Sequence, residues 1–377
     1  MLKIQNTSLG NRKSIVLVLF IAVSLFSCLA EAKVKNRKPL VWDMQRLAEL
    51  KEDMAVSKDT KKILERADEY SGLKPITLVD NKKLTFEPDI HYYCSIGPYW
   101  WPDPSKNGQY TRRDGKVNPE SKLYDNVRLT DMIDRCTVLS KAYFLTKNKK
   151  YYKAFISQLR AWFIAEDTRM YPNFEYSQVI PGKNNNKGRS AGMITAYGFN
   201  TVIESIRLVN GVKRIDYKTV KELKKWFSDF AEWADKGEFC YGLKSSNDNI
   251  GLAYDVTLVN MFLFIGYEDR AKEIADDFLN KRINIQINEN GTQPVELKRT
   301  RAFSYSVYNL THIIDFCYLV RCWYPNYYHE NCERIDSAFD YLGHYISDNE
   351  SFPYSQTTSW KDCIKDYYEQ LQRLQNL

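Results

Sequence analysis

Alternation of apolar and polar residues, the mark of a half-buried strand, is almost absent from this 377-residue chain after Pro119. That argues against all-β and alternating α/β architectures. Also missing are a C-x-x-C pair and any Cys/His run with metal-ligand spacing, so neither a metal nor any other cofactor is expected. Beyond Phe26 no apolar run approaches the ~20 residues of a membrane helix, and no membrane span is expected. Seven cysteines follow residue 32 (Cys94, Cys136, Cys240, Cys317, Cys322, Cys332 and Cys363), an odd number that leaves at least one thiol unpaired even in an oxidising compartment. Breaks in composition are few, which favours one domain over residues 33–377. The formal net charge of +7 is only mildly basic. It suits an anionic substrate, although solubility alone would account for it, and nucleic acid is not an expected partner.

What is abundant is aromatic surface: 14% of residues are Phe, Trp or Tyr, with 27 Tyr. Such side chains present a flat apolar face with a polar handle, suited to stacking on sugar rings in a wet cleft or to lining the rims of helical cores. Residues 1–32 have the form of a secretory signal. Lys3, Arg12 and Lys13 precede the apolar run Ser14 to Phe26, and Ala30-Glu31-Ala32 supplies a cleavage site. Leu25-Phe26-Ser27-Cys28 offers an alternative, a lipoprotein box with a lipid anchor at Cys28, though Phe26 is bulky for it. Either reading places the mature protein in the periplasm or outside the cell.

Helical spacing predicts two short helices between Asp43 and Ser71. Residues 72–118, rich in Pro and Gly, are expected to be mostly loop, and their aromatics make that loop ordered and functional. From Pro119 the pattern is one of helical hairpins. One helix runs from Pro119 to Phe144 and another from Tyr151 to Ile164; a polar loop covers 166–192. Helices follow over 193–209, 217–235, 249–265, 267–287, 303–323, 332–346 and 358–374. The architecture expected is all-α, an α/α toroid of antiparallel hairpins with long loops gathered around a cleft.

Four clusters fall in those loops. His91, Tyr92, Tyr93, Tyr99, Trp100 and Trp101 offer stacking faces, or anchor their own loop. Glu175, Tyr176 and Gln178, followed by Arg189, could grip hydroxyls and carboxylates, or fill turns. Asn247-Asp248-Asn249-Ile250-Gly251 precedes Tyr254-Asp255, and Asp248 or Asn249 makes a good N-cap. The densest stretch, Glu296 to Asn309, holds Glu296, Arg299, Arg301, Tyr305 and Tyr308 directly after Gln293-Pro294.

One reaction fits these groups together: β-elimination across a uronic acid glycosidic bond. Asn and Arg would neutralise the carboxylate beside C5, and a base would take H5 while an acid protonates O4. A cation beside the Tyr305 phenol is expected to depress its pKa. Hydrolysis would need two carboxyl groups at a set separation, and nothing in the spacing of Glu175, Asp248 and Asp255 singles out such a pair.

The run from His91 to Pro104, HYYCSIGPYWWPDP, resembles the HDYxSxxPYWWPDP signature of the alginate lyase family of helical polysaccharide lyases. The resemblance continues through Asp114-Gly115, Asn118-Pro119-Glu120, Thr168 to Asn173, Tyr176 to Gln178, Ile180 to Gly182, Gly251, Tyr254-Asp255, Gln293 to Thr300 and Tyr305 to Leu310. It implies an α/α toroid, with metal-independent elimination on uronate polymers. Carried over by position, it implies Tyr305, Asn249 and Arg299 as catalytic residues. His91, Tyr99, Trp100, Trp101, Tyr176, Gln178, Arg189, Tyr254, Glu296 and Arg301 would then bind substrate. One departure stands out. Members carry Asn-Asn-His-Gly where this chain has Asp248-Asn249-Ile250-Gly251, so Ile250 replaces the usual catalytic His. His312, seven residues beyond Tyr305, and His91 are the histidines placed to compensate. The arginine also shifts: Arg299 lies six residues before Tyr305, where some relatives have seven, and Arg301 lies four before. A noncatalytic glycan-binding protein on the same fold is the alternative reading, and a glycoside hydrolase the third.

Overall fold

The computed structural model describes residues 38–377; the segment expected to be a signal sequence, with Cys28, lies outside them. Two short helices, α1 (Met44–Glu52) and α2 (Lys58–Gly72), begin at Asp43 and Ser57, whose side chains accept from backbone N–H groups three residues on. The hairpin α3 (Asp125–Thr146) and α4 (Lys149–Phe163) turns at Lys147 in a left-handed conformation. Then come α5 (Gly198–Val212), α6 (Tyr217–Lys236), α7 (Asn249–Ile265) and α8 (Glu268–Phe278). After the one-turn helix α9 (Pro294–Leu297) come α10 (Ala302–Val320), α11 (Glu333–Gly343) and α12 (Trp360–Gln375). The α/α toroid arises because each hairpin packs on the next: α3 on α5, α5 on α7, α7 on α10, and α10 on α12.

Apart from Ile250 and Ile265, every residue of α7 is buried. A helix apolar on all sides has no solvent face, and so α7 becomes the central element against which α6, α8 and α10 pack. A cluster of Phe163, Phe174, Phe199, Trp226, Phe227 and Phe230 joins α4, α5 and α6 to the loop carrying Phe174. Each such pair contributes about 0.5–1.5 kcal/mol beyond its buried area.

Two expectations need correction. The helix expected from Pro119 is broken at Tyr124, whose extended backbone separates a 3-10 turn (Pro119–Leu123) from α3. Likewise 190–197 is a 3-10 segment, so α5 starts only at Gly198. Residues 72–118 also contain strands. β1 (Cys94–Ile96) pairs in parallel with β4 (Tyr176–Val179), and β2 (Trp100–Pro102) pairs antiparallel with β3 (Tyr110–Arg112). Strands of three or four residues are too short for alternation to register in the sequence. The seven described cysteines form no disulfide. Among the described residues no single helix is long and apolar enough to cross a membrane.

Candidate active site

The β2–β3 hairpin is closed at its base by Arg113 N–H donating to Tyr99 C=O (2.8 Å) and Asn118 N–H donating to Pro98 C=O (2.7 Å). Asn118 Nδ2 also donates to Trp100 C=O at 2.9 Å. This closure holds Tyr99 over the first turn of α10, where its hydroxyl lies 2.6 Å from that of Tyr305. The Arg299 guanidinium stacks on the Tyr305 ring, 3.7 Å from its centroid. Burial raises the Tyr305 pKa, the Tyr99 hydrogen bond adds to the rise, and Arg299 opposes both without overcoming them. The expected depression is thus corrected: desolvation of the phenolate outweighs the neighbouring cation.

Arg299 is fixed by Asp114 through two parallel bonds, Nε to Oδ2 (3.1 Å) and Nη2 to Oδ1 (3.0 Å). Asp114 also accepts from Thr300 N–H and Oγ1 (both 3.3 Å) and from Arg112 Nη2 (2.7 Å). These partners hold its carboxyl down at about 2, against the cost of burial. Arg301 Nη2 donates to Gly115 C=O at 2.6 Å, so its reach is toward the turn. Gly115 is required there. Its φ is +71°, and a Cβ would stand 2.2 Å from Thr300 Oγ1.

Asn249 opens α7. Its backbone N–H donates to Glu296 Oε1 and its Nδ2 to Glu296 Oε2, both at 2.8 Å. Asp248 is the N-cap, with Oδ1 accepting from Ile250 N–H and Gly251 N–H at 3.1 Å. Beneath them the buried Arg282 donates to Asp255 (2.7 Å), to Leu243 C=O (2.9 Å) and to Ser246 C=O. Arg282 comes from a π-helical turn, Leu279–Ile283, that continues α8. Gly251 lies against it: a Cβ would meet Arg282 Nη1 and Ser246 O at 2.6 Å.

A second cationic group lies on the other side of the hairpin. Arg189 Nη2 donates to Gln178 Oε1 at 2.7 Å, while its Nε is buried without a protein partner. Burial and the nearby Arg112 lower its pKa. The Trp100 ring carries Lys183 at 4.7 Å and Arg189 at 6.0 Å, and Trp101 carries Arg113 at 5.3 Å. Part of the stacking surface expected of these two rings is therefore already engaged by cations. Gln178 adopts a left-handed backbone (φ 50°), uncommon outside Gly, Asn and Asp and a pointer toward function.

Other expected site residues lie elsewhere. Tyr254 is 2% exposed and donates to Ala234 C=O at 3.1 Å, so it is packed as a core residue. Glu296, also 2% exposed, has both carboxylate oxygens on Asn249. His91 is half-buried, its Nδ1 2.7 Å from Arg169 C=O and its ring against Tyr171, with Tyr176 joined to that cluster through Tyr92. His312 does not compensate for Ile250. It is wholly buried between Tyr197 and Tyr308, both ring centroids 4.3 Å away, and burial pushes its pKa down to about 3. The carboxylates considered for hydrolysis are committed: Asp255 to Arg282, Asp248 to the α7 cap, and Glu175 to a loose pair with Lys187. Asp114 was missed as a site residue, because its partner is 185 positions away and only the Asp-Gly turn marked it.

The family model for alginate lyase matches residues 77–352. The crystal structure of an alginate lyase from Bacteroides ovatus is 34% identical, with 89% of this chain and 90% of that chain covered and a TM-score of 0.84. Alginate lyase A1-III from a Sphingomonas species is 15% identical, over 85% of this chain and 82% of its own, with a TM-score of 0.51. A variant of alginate lyase A1-III complexed with a tetrasaccharide is 15% identical over 85% and 80%, with a TM-score of 0.56. At that identity the A1-III structures bear on the fold alone. No curated protein matches.

Proposed function

The chain belongs to the alginate lyase family, and on that premise we propose that it cleaves an alginate-like, uronate-containing polysaccharide by β-elimination. The observation that carries the proposal is the hydroxyl pair of Tyr99 and Tyr305 under the Arg299 guanidinium. Elimination moves one proton, net, from C5 to O4. Two hydroxyls joined by a hydrogen bond can accomplish this without a free phenolate. One oxygen accepts the C5 proton and hands its own to its partner, the partner releases its proton to O4, and both end as they began. Such a relay suits a pair whose phenolate is disfavoured by burial.

The substrate carboxylate would be neutralised by the N–H of Asn249 that Glu296 leaves unused and by the Arg299 nitrogen not bound to Asp114. Arg189, with Gln178 and Lys183 beside it, would hold a carboxylate on a neighbouring sugar. An export signal at residues 1–32 would deliver the enzyme to the periplasm or the medium, where such polymers are met.

The test is incubation of the mature protein with a panel of uronate polymers, following the ultraviolet absorbance of unsaturated ends. Absorbance that vanishes in Tyr305→Phe supports elimination. Absence of the chromophore at every pH tried sinks it, and new reducing ends without the chromophore indicate hydrolysis. A second reading, glycan binding without cleavage, is favoured by Ile250, which provides no imidazole beside Asn249. Binding with no product would establish that reading.

A further inference from the structure

Glu296 is a carboxylate where the fold needs none. It is 2% exposed, and among the described residues no cation lies within ion-pair distance of it. Its two oxygens accept instead from two N–H groups of a single residue, Asn249. The start of α7 requires only one acceptor here, for the Asn249 backbone N–H, and any neutral acceptor would serve. Asp248 already caps the next two N–H groups, and Arg282 ties down the preceding loop through the Leu243 and Ser246 carbonyls. Burying a carboxylate away from water is costly unless it gains strong partners. Here the cost is visible, since burial pushes the Glu296 pKa up to about 7 even though both bonds from Asn249 act in the opposite sense. The other charges facing it are Asp248, which raises it further, and Arg299, which lowers it.

What a carboxylate does here that an amide cannot do follows from its chemistry. Ionised, it accepts at both oxygens and donates at neither. It can therefore take the backbone N–H and the side-chain N–H of Asn249 together, and it fixes which end of the Asn249 amide faces it. With Nδ2 turned toward Glu296, one Nδ2 proton is consumed, and both the second proton and Oδ1 are left in set directions. A glutamine would present one acceptor and one donor. Its donor would favour the flipped amide, with Oδ1 of Asn249 facing it, and exchange donor for acceptor at the substrate.

We propose that Glu296 is a positioning residue for the elimination: it locks the side-chain amide of Asn249 in the orientation that presents N–H to the sugar carboxylate. The inference rests on the proposed lyase reading. It assigns Glu296 no contact with substrate, in contrast to its neighbours Arg299 and Tyr305. The stabilisation passes through Asn249 and grows as charge develops on the carboxylate, so its loss falls on kcat more than on KM.

The experiment is a double-mutant cycle on the full mature chain with a uronate polymer, using Glu296→Gln, Asn249→Ala and both together. Glu296→Gln is isosteric and is expected to lower kcat about tenfold or more, with KM within about threefold. In the Asn249→Ala background the same substitution is expected to change kcat by less than about twofold, because nothing remains to be oriented. Equal losses in both backgrounds overturn the inference, as does a Glu296→Gln enzyme with unaltered kcat. Glu296→Asp, which keeps the acceptor-only character at shorter reach, is expected to retain more kcat than Glu296→Gln. The reverse order also counts against it. A parent enzyme that neither cleaves nor binds uronate polymers overturns the lyase reading and this inference with it; a parent that cleaves but gives additive losses overturns the inference alone.

Discussion

The hydroxyls of Tyr99 and Tyr305 meet at 2.6 Å across 206 residues of sequence. One comes from the mouth of a β-hairpin and the other from the first turn of α10, so neither element alone forms the pair. Its value to a lyase rests on both oxygens, and that can be tested directly. Tyr305→Phe is expected to reduce turnover about a hundredfold or more, and Tyr99→Phe about tenfold or more. The double variant should be no slower than Tyr305→Phe, since residues acting as a unit are not additive. Rates of unsaturated product formation decide this, and a Tyr99→Phe enzyme with full turnover removes Tyr99 from the relay.

The Asp114–Arg299 contact predicts an acid limit on stability. The folded pKa of Asp114 is depressed to about 2 from the ordinary 3.8 of a free aspartate. Its contribution is therefore present above the unfolded value and lost as pH falls from about 3.8 through about 2. With part of the carboxylate open to solvent, about 1–2 kcal/mol is expected. Urea denaturation across that range should show a smaller fall for Asp114→Asn than for the parent.

Gly251→Ala places a methyl group against Arg282 and the Ser246 carbonyl. For either to yield, the bond between Arg282 and the Ser246 carbonyl or the buried Arg282–Asp255 pair has to give. A loss of about 2–4 kcal/mol in unfolding free energy is expected, measured by denaturant titration. A loss below about 0.5 kcal/mol would mean that the contact relaxes freely.

Arg189 is half-buried beside Lys183 and Arg112, its Nε unpaired, and among the described residues no carboxylate forms an ion pair with it. Arg189→Gln is expected to raise KM for an oligouronate about tenfold while leaving kcat within about threefold, the pattern of a group that binds ground state and transition state alike. A fall in kcat with KM unchanged would move Arg189 to the reacting sugar.

The helices were legible because their information is local. Spacing of apolar residues marked α4, α6 and α7 to within a few positions, and of the two cap candidates, Asp248 and Asn249, the structure uses Asp248. The short strands were not legible, because three or four residues carry no period and their pairing joins distant segments. The aromatic motif pointed to Tyr99 and Trp100, and the charged stretch pointed to Arg299 and Tyr305. What the residues could not disclose was direction. Tyr254 resembles a site residue in type and position, yet α7 is buried on that face and turns its hydroxyl to Ala234. The sign of the Tyr305 shift was likewise beyond reach, because it depends on how much water the fold removes.

The segment from Tyr99 to Asp114 is attached to the α10 region at both ends, by a hydroxyl pair at one and by a bidentate ion pair at the other. It acts as a strap with two unlike latches. Salt or acid would release the ionic latch while leaving the hydroxyl latch closed. The two contacts therefore answer to different conditions, and only the ionic one weakens as salt rises or pH falls.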